Sequence, residues 1–247
     1  MAPLRTLCAV LLAAFGAAAQ AGPLAYVPNE KSATLSVVDT ATDQRQADIP
    51  AGQRPRGIAG GGSRVYVTDG KTGSLLIIDT ATGKLVTSVP VGASPEGVSL
   101  SADGTLLAVA VEDDNSVVLL DAASGRELAR IAVHGKNPEH AVFSPDGRLL
   151  YATVGSNSNI TENGMEAEKN RAAVWEIDRA SGRARVFAGG LRNPNSPNFY
   201  PGTNTLWVVA NEPAGHEKGA HAYFEPLIQR MRDRDPSKRP VTLVNIM

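Results

Sequence analysis

The chain has 247 residues, 43% of them hydrophobic, and a formal net charge of −1. That length can bury a full core, and so even a charge balance supplies no field for gripping nucleic acid. A single cysteine rules out a fold stapled by internal disulfides.

Residues 1–21 hold Arg5, an apolar run from Leu7 to Phe15 and the small-residue ending Ala19-Gln20-Ala21. This reads as a secretory signal peptide cleaved after Ala21. The run is too short for a spanning helix, which needs about 20 apolar residues, so no membrane span is expected. Cys8 falls inside the leader, which leaves a mature chain expected in the periplasm or secreted, without thiols, and stabilised by its core and sheet hydrogen bonds.

From Val65 to Gly104 the runs VYVT, SLLIID, LVTSVPV and GVSLS are rich in Val, Ile and Leu and bounded by Gly, Asp, Ser or Pro. They predict one four-strand antiparallel meander, with Asp103-Gly104 suited to a tight type I′ hairpin. The unit recurs. Ala25 to Asp43, Val65 to Gly83 and Leu107 to Gly125 align, and the aspartates closing their second strands, Asp39, Asp79 and Asp121, lie 40 and 42 residues apart. Pro55, Pro95 and Pro138, in RPRGIA, SPEGVS and NPEHAV, are 40 and 43 apart. Two markers at one period near 40 with four strands per unit predict an all-β chain folded as a β-propeller of four-stranded antiparallel blades. A sandwich would give turn signals without that self-similarity.

The YVT and IDTATG elements resemble the YVTN family of β-propeller repeats over residues 24–150. The resemblance implies the fold, with Asp, Thr and Gly locking turns, and implies no active site.

The register then breaks, because Asp121 and Asp178 are 57 residues apart. The surplus is the polar stretch Gly155 to Asn170, and an insertion in one repeat maps to a loop on one face. Asn157, Asn159, Glu162, Asn163, Glu166 and Glu168 offer oxygen ligands for a hard cation such as calcium. Their spacing is not that of an EF-hand, and a solvated acidic loop is the plainer explanation.

Leu150 to Glu212, with GSNSN and GLRNP in order, resembles the PQQ-dependent glucose and sorbosone dehydrogenases. That resemblance implies cofactor contacts from Arg192 and Asn193, a calcium loop near Glu212 and Pro213, and a sugar substrate. Arg192-Asn193-Pro194 also falls where earlier units have RPRG, SPEG and NPEH, so a fourth blade turn is the alternative. The family's catalytic histidine would fall on Lys136, nine residues before Pro145. His140 is five before and His134 eleven before, so no catalytic histidine is named, with His140 held in reserve.

Leu206 to Val209 opens a unit that is not completed, giving about four recognisable blades and an incomplete fifth. Phe224 to Asp235 predicts a short helix stopped by Pro236 and Pro240. Val241 to Met247 predicts a terminal strand, closing the ring against the first blade or unpaired. His216 and His221 are one residue too far apart for a zinc-protease helix.

The organisation expected is a signal peptide at 1–21, a propeller at 22–212 and an irregular or helical tail at 213–247. Two functions follow. One is an exported, non-catalytic scaffold that binds a small sugar or a protein, with a partner over an open propeller edge. The other is a PQQ- and calcium-dependent sugar dehydrogenase-like oxidoreductase in truncated or hybrid form.

Overall fold

The computed structural model describes residues 23–158 and 163–210 together with the backbone of 241–245. The signal peptide expected at 1–21, the helix expected at Phe224 to Asp235 and the histidines of the tail lie outside the described residues. The strands of the first sheet are β1 (Leu24–Asn29), β2 (Thr34–Asp39) and β3 (Gln44–Pro50). The second sheet contains β4 (Pro55–Gly61), β5 (Arg64–Asp69), β6 (Ser74–Asp79) and β7 (Lys84–Pro90). The third contains β8 (Pro95–Leu100), β9 (Leu106–Val111), β10 (Ser116–Asp121) and β11 (Glu127–Ala132). The fourth contains β12 (Pro138–Phe143), β13 (Leu149–Val154), β14 (Ala173–Asp178) and β15 (Ala184–Gly189). The fifth contains β16 (Pro194–Phe199), β17 (Leu206–Ala210) and β18 (Val241–Asn245).

The chain is a β-propeller. Strands β1, β4, β8, β12 and β16 pack in succession, so each sheet is a blade whose first strand faces its neighbours' first strands. One apolar cluster fills each of the four spaces between blades. Leu75, Ile77 and Tyr66 of the second blade, for instance, meet Val98, Leu107, Val109 and Leu120 of the third. Being covered on both faces, the middle strands are apolar without alternation, as in SLLIID and SVVLLD, whereas β7 at the blade's outer edge is mostly exposed.

The repeat was read in the right period and the wrong phase. VYVT, SLLIID and LVTSVPV are β5 to β7 of one sheet, but GVSLS belongs to β8, the inner strand of the next. After Pro90 the chain crosses from the outer edge of one blade to the inner edge of its neighbour through Gly92 and Ser94, both at positive φ. The Asp103-Gly104 turn is also wider than two residues. The Ser101 amide donates to the Leu106 carbonyl, while Asp103 Oδ1 accepts from Ser101 Oγ at 2.6 Å and from the Thr105 amide at 3.0 Å. Gly104 supplies the expected positive φ of 72°.

The strand-closing aspartates hold turns, as the repeat implied. Asp79, Asp121 and Asp178 each accept from the amide and hydroxyl of a Thr or Ser three residues on, at 2.6 to 2.8 Å. The terminal strand joins the fifth sheet rather than the first. Its five residues pair with β17 in parallel, Leu206 opposite Val241 through Ala210 opposite Asn245. A parallel partner needs a crossover of a dozen residues or more, and residues 211–240 provide the length.

Candidate functional site at the start of the inner strands

Every inner strand after β1 begins with a proline and gains one extra residue just after it. Pro55 and Ile58 oppose Asp69 and Val67, Pro95 and Val98 oppose Val111 and Val109, Pro138 and His140 oppose Val154 and Thr153, and Pro194 and Ser196 oppose Ala210 and Val209. A bulge of this kind re-aims the side chain it carries. The residue after each proline is Arg56, Glu96, Glu139 or Asn195, and the first three engage one another from blade to blade.

Arg56 Nη2 lies 2.7 Å from Glu96 Oε2. Glu112, from the β9–β10 turn, accepts from Ser94 Oγ at 3.1 Å and adds its charge beside Glu96. Burial is the main force on Glu96; with Glu112 and Glu139 beside it, it outweighs Arg56 and pushes the Glu96 carboxyl up to about 8. Burial and the charge of Glu112 raise Glu139 as well, against Arg56 and Arg171.

The folded chain therefore keeps a proton on Glu96 that the unfolded chain releases above its ordinary value of 4.5. Stability drawn from this group falls as pH rises from about 4.5 to 8. Urea unfolding followed from pH 5 to pH 8 is expected to show a declining midpoint, and Glu96→Gln a shallower decline.

Asp69 anchors the entry to the second blade. Fully buried, it accepts amides of Gln53 at 2.9 Å and of Arg54 and Lys71 at 3.0 Å. In the third blade Val111 takes the Asp69 place and Asp114 reaches the corresponding loop, accepting from the Ala93 amide at 3.4 Å.

Asn193 sits at a blade turn. Its φ of 42° matches Ser94 at 53° and Asn137 at 58°, each just before the inner-strand proline. Its Oδ1 lies 2.5 Å, and Glu139 Oε1 3.2 Å, from where a Cβ on Gly155 would stand, so the start of the inserted loop borders the same cluster. Arg192 is half-buried beside it. His140 occupies the place of Gly57 and Gly97 and packs its ring against Gly97. Burial pushes its imidazole down to about 4, which keeps it neutral at pH 7.

The inserted loop satisfies much of its own polarity. Glu168, at the end of a 3-10 turn (Met165–Glu168), accepts from the amides of Asn157 and Ser158 at 2.8 and 3.0 Å. Arg171 donates to Asn137 Oδ1 at 3.1 Å and to the Ser156 carbonyl at 3.3 Å, tying the loop to the inner-strand turn. Among the described residues no three His, Cys, Asp or Glu side chains are grouped so as to hold a metal. Asn159, Glu162, Glu212 and Pro213 lie outside the described residues.

Sequence reasoning missed Arg56, Glu96, Glu112 and Glu139. The available signal was the charged residue after the proline in three successive repeats. At the far ends of the inner strands a cleft of about 370 Å³ opens between Leu100, Phe143, Pro145, Phe199 and Tyr200. Tyr200 stacks on Trp207 at 5.7 Å between ring centres. Among the described residues no helix is long and apolar enough to cross a membrane.

No protein-family model matches the chain. A segment of 56 residues, 23% of the chain, is 59% identical to part of a beta-glucuronidase of Streptococcus agalactiae serotype V (strain ATCC BAA-611 / 2603 V/R), and spans only 8% of that protein. Among solved structures, hydrazine synthase of Kuenenia stuttgartiensis superposes with a TM-score of 0.63 at 22% identity, over 73% of this chain and 50% of that one. A chain of a mitotic checkpoint complex gives 0.60 at 14% identity, over 77% of this chain and 54% of that one. The chain is thus similar in fold to about half of each of these larger structures.

Proposed function

We propose that the protein is an exported propeller of the YVTN type that binds a small ligand or a partner protein at the start of its inner strands, without catalysing a reaction. The observation carrying this reading is the convergence of Arg56, Glu96 and Glu139 from three blades, each set by the same bulge. Recognition groups repeated on a rigid ring suit binding.

The alternative, a PQQ-dependent sugar dehydrogenase-like oxidoreductase, draws on Arg192 and Asn193 at the rim of that cluster. The donor set fits such a cofactor poorly. PQQ is itself anionic, and Asn193 Oδ1 shares its position beside Gly155 with Glu139, with Glu112 and Glu96 next in line. Like charges in a partly buried site repel.

The deciding experiment loads the chain with PQQ and calcium and measures both sugar-dependent dye reduction and melting. No dye reduction is expected, and no rise in melting temperature at saturating PQQ. Dye reduction, or a rise that Arg192→Ala removes, would favour the dehydrogenase.

A further inference from the structure

The Glu96 carboxyl has a demand its neighbours do not meet. Its side chain is 6% exposed, Arg56 contacts Oε2, and Oε1 is buried with no hydrogen-bond partner. Glu112 from the β9–β10 turn and Glu139 from β12 both add their charge. Facing these three carboxyls is Arg56 from β4, while the Arg171 guanidinium beside Glu139 donates to Asn137 and Ser156 and keeps its buried Nε without a hydrogen-bond partner. A buried carboxylate oxygen without a donor is a costly arrangement.

We propose that this cluster is a binding site for an organic cation, an ammonium or guanidinium group that donates to Glu96 Oε1 and is held by the charges of Glu112 and Glu139. The proposal rests on the reading of this region as a binding site and names the chemistry of its ligand. A bare divalent metal fits less well, since the described carboxylates are not grouped at coordinating distance, whereas an ammonium or guanidinium spreads its donors over several ångströms. Without the cation, burial leaves Glu96 protonated at pH 7. The incoming charge displaces that proton to solvent, so the cluster gains one positive charge and loses another. The raised value of Glu96 agrees with this exchange. The same chemistry is offered by a free diamine and by the arginine or lysine of a partner protein.

Calorimetric titration of the full chain at pH 7 tests it, with putrescine, with Nα-acetylarginine N-methylamide and with calcium chloride, each in two buffers of different ionisation enthalpy. Saturable binding of one organic cation with proton release is expected, and the better probe identifies the source, free amine or protein side chain. Glu96→Gln should weaken binding at least tenfold and Glu139→Gln severalfold. Glu127→Gln, on outer strand β11 where Glu127 pairs with Arg130, should leave it unchanged. No saturable binding by either organic cation, binding by calcium alone, or equal affinity in Glu96→Gln would overturn the proposal. If Glu96→Gln fails to fold, wild-type affinity in Glu139→Gln overturns it instead. Failure here leaves the scaffold reading standing, because that reading falls only with the PQQ assay.

Discussion

Gly57→Ala is expected to lower the melting temperature by roughly 6–12 °C, the effect of about 3 kcal/mol of overpacking in a chain of this size. A Cβ at residue 57 would stand 2.4 Å from the Glu96 carbonyl oxygen, 2.8 Å from Gly97 Cα and 2.9 Å from the Val98 amide. All three are backbone atoms of the next inner strand, so relief requires two blades to separate. The contact is reinforced by Thr68, whose hydroxyl accepts from the Gly57 amide at 2.7 Å and donates to the Glu96 carbonyl. Gly97→Ala meets a different obstacle, since its Cβ would fall 2.2 Å from His140 Nδ1. Adding His140→Gly, the residue of the two earlier repeats, should restore most of that loss. Thermal melts of the single and double variants measure the coupling.

Asp69→Ala is expected to destabilise the chain by about 3 kcal/mol, because it leaves several buried amide donors unpaired at once. Burial alone would raise the Asp69 carboxyl, but hydrogen bonds from Gln53, Thr72, Lys71 and Arg54 together hold it below its ordinary 3.8. Its stabilising contribution is complete above that value and is lost as pH falls through the lower folded-state value. Acid unfolding should therefore set in more steeply for the wild type than for Asp69→Asn, which cannot lose a charge it does not carry. Parallel acid limbs for the two would show that the amide hydrogen bonds lie elsewhere.

These two sites illustrate what the sequence discloses. Self-similarity fixes the distance between equivalent residues, so the period, the blade architecture and the turn role of Asp79 and Asp121 were legible. It does not fix where one sheet ends, which is decided by the crossing after Pro90, and GVSLS was placed in the wrong blade. The turn alternative for Asn193 was legible because Pro194 keeps the register of Pro55, Pro95 and Pro138. The carboxyl cluster was not, because Glu96 and Glu139 are 43 residues apart and meet only through bulges that local pattern does not announce. Position 140 combined both lessons. The repeat register aligns His140 with Gly57 and Gly97, but its effect on Gly97 depends on how closely two strands approach.

The bulge that follows each inner-strand proline also bears on how such a protein diversifies. Arg56, Glu96 and Glu139 share one backbone geometry while differing in charge. A point substitution at any of them changes the charge presented there on a backbone that the same bulge sets. Under the binding reading proposed above, the repeats thus offer equivalent positions, and selectivity is set by one residue per blade.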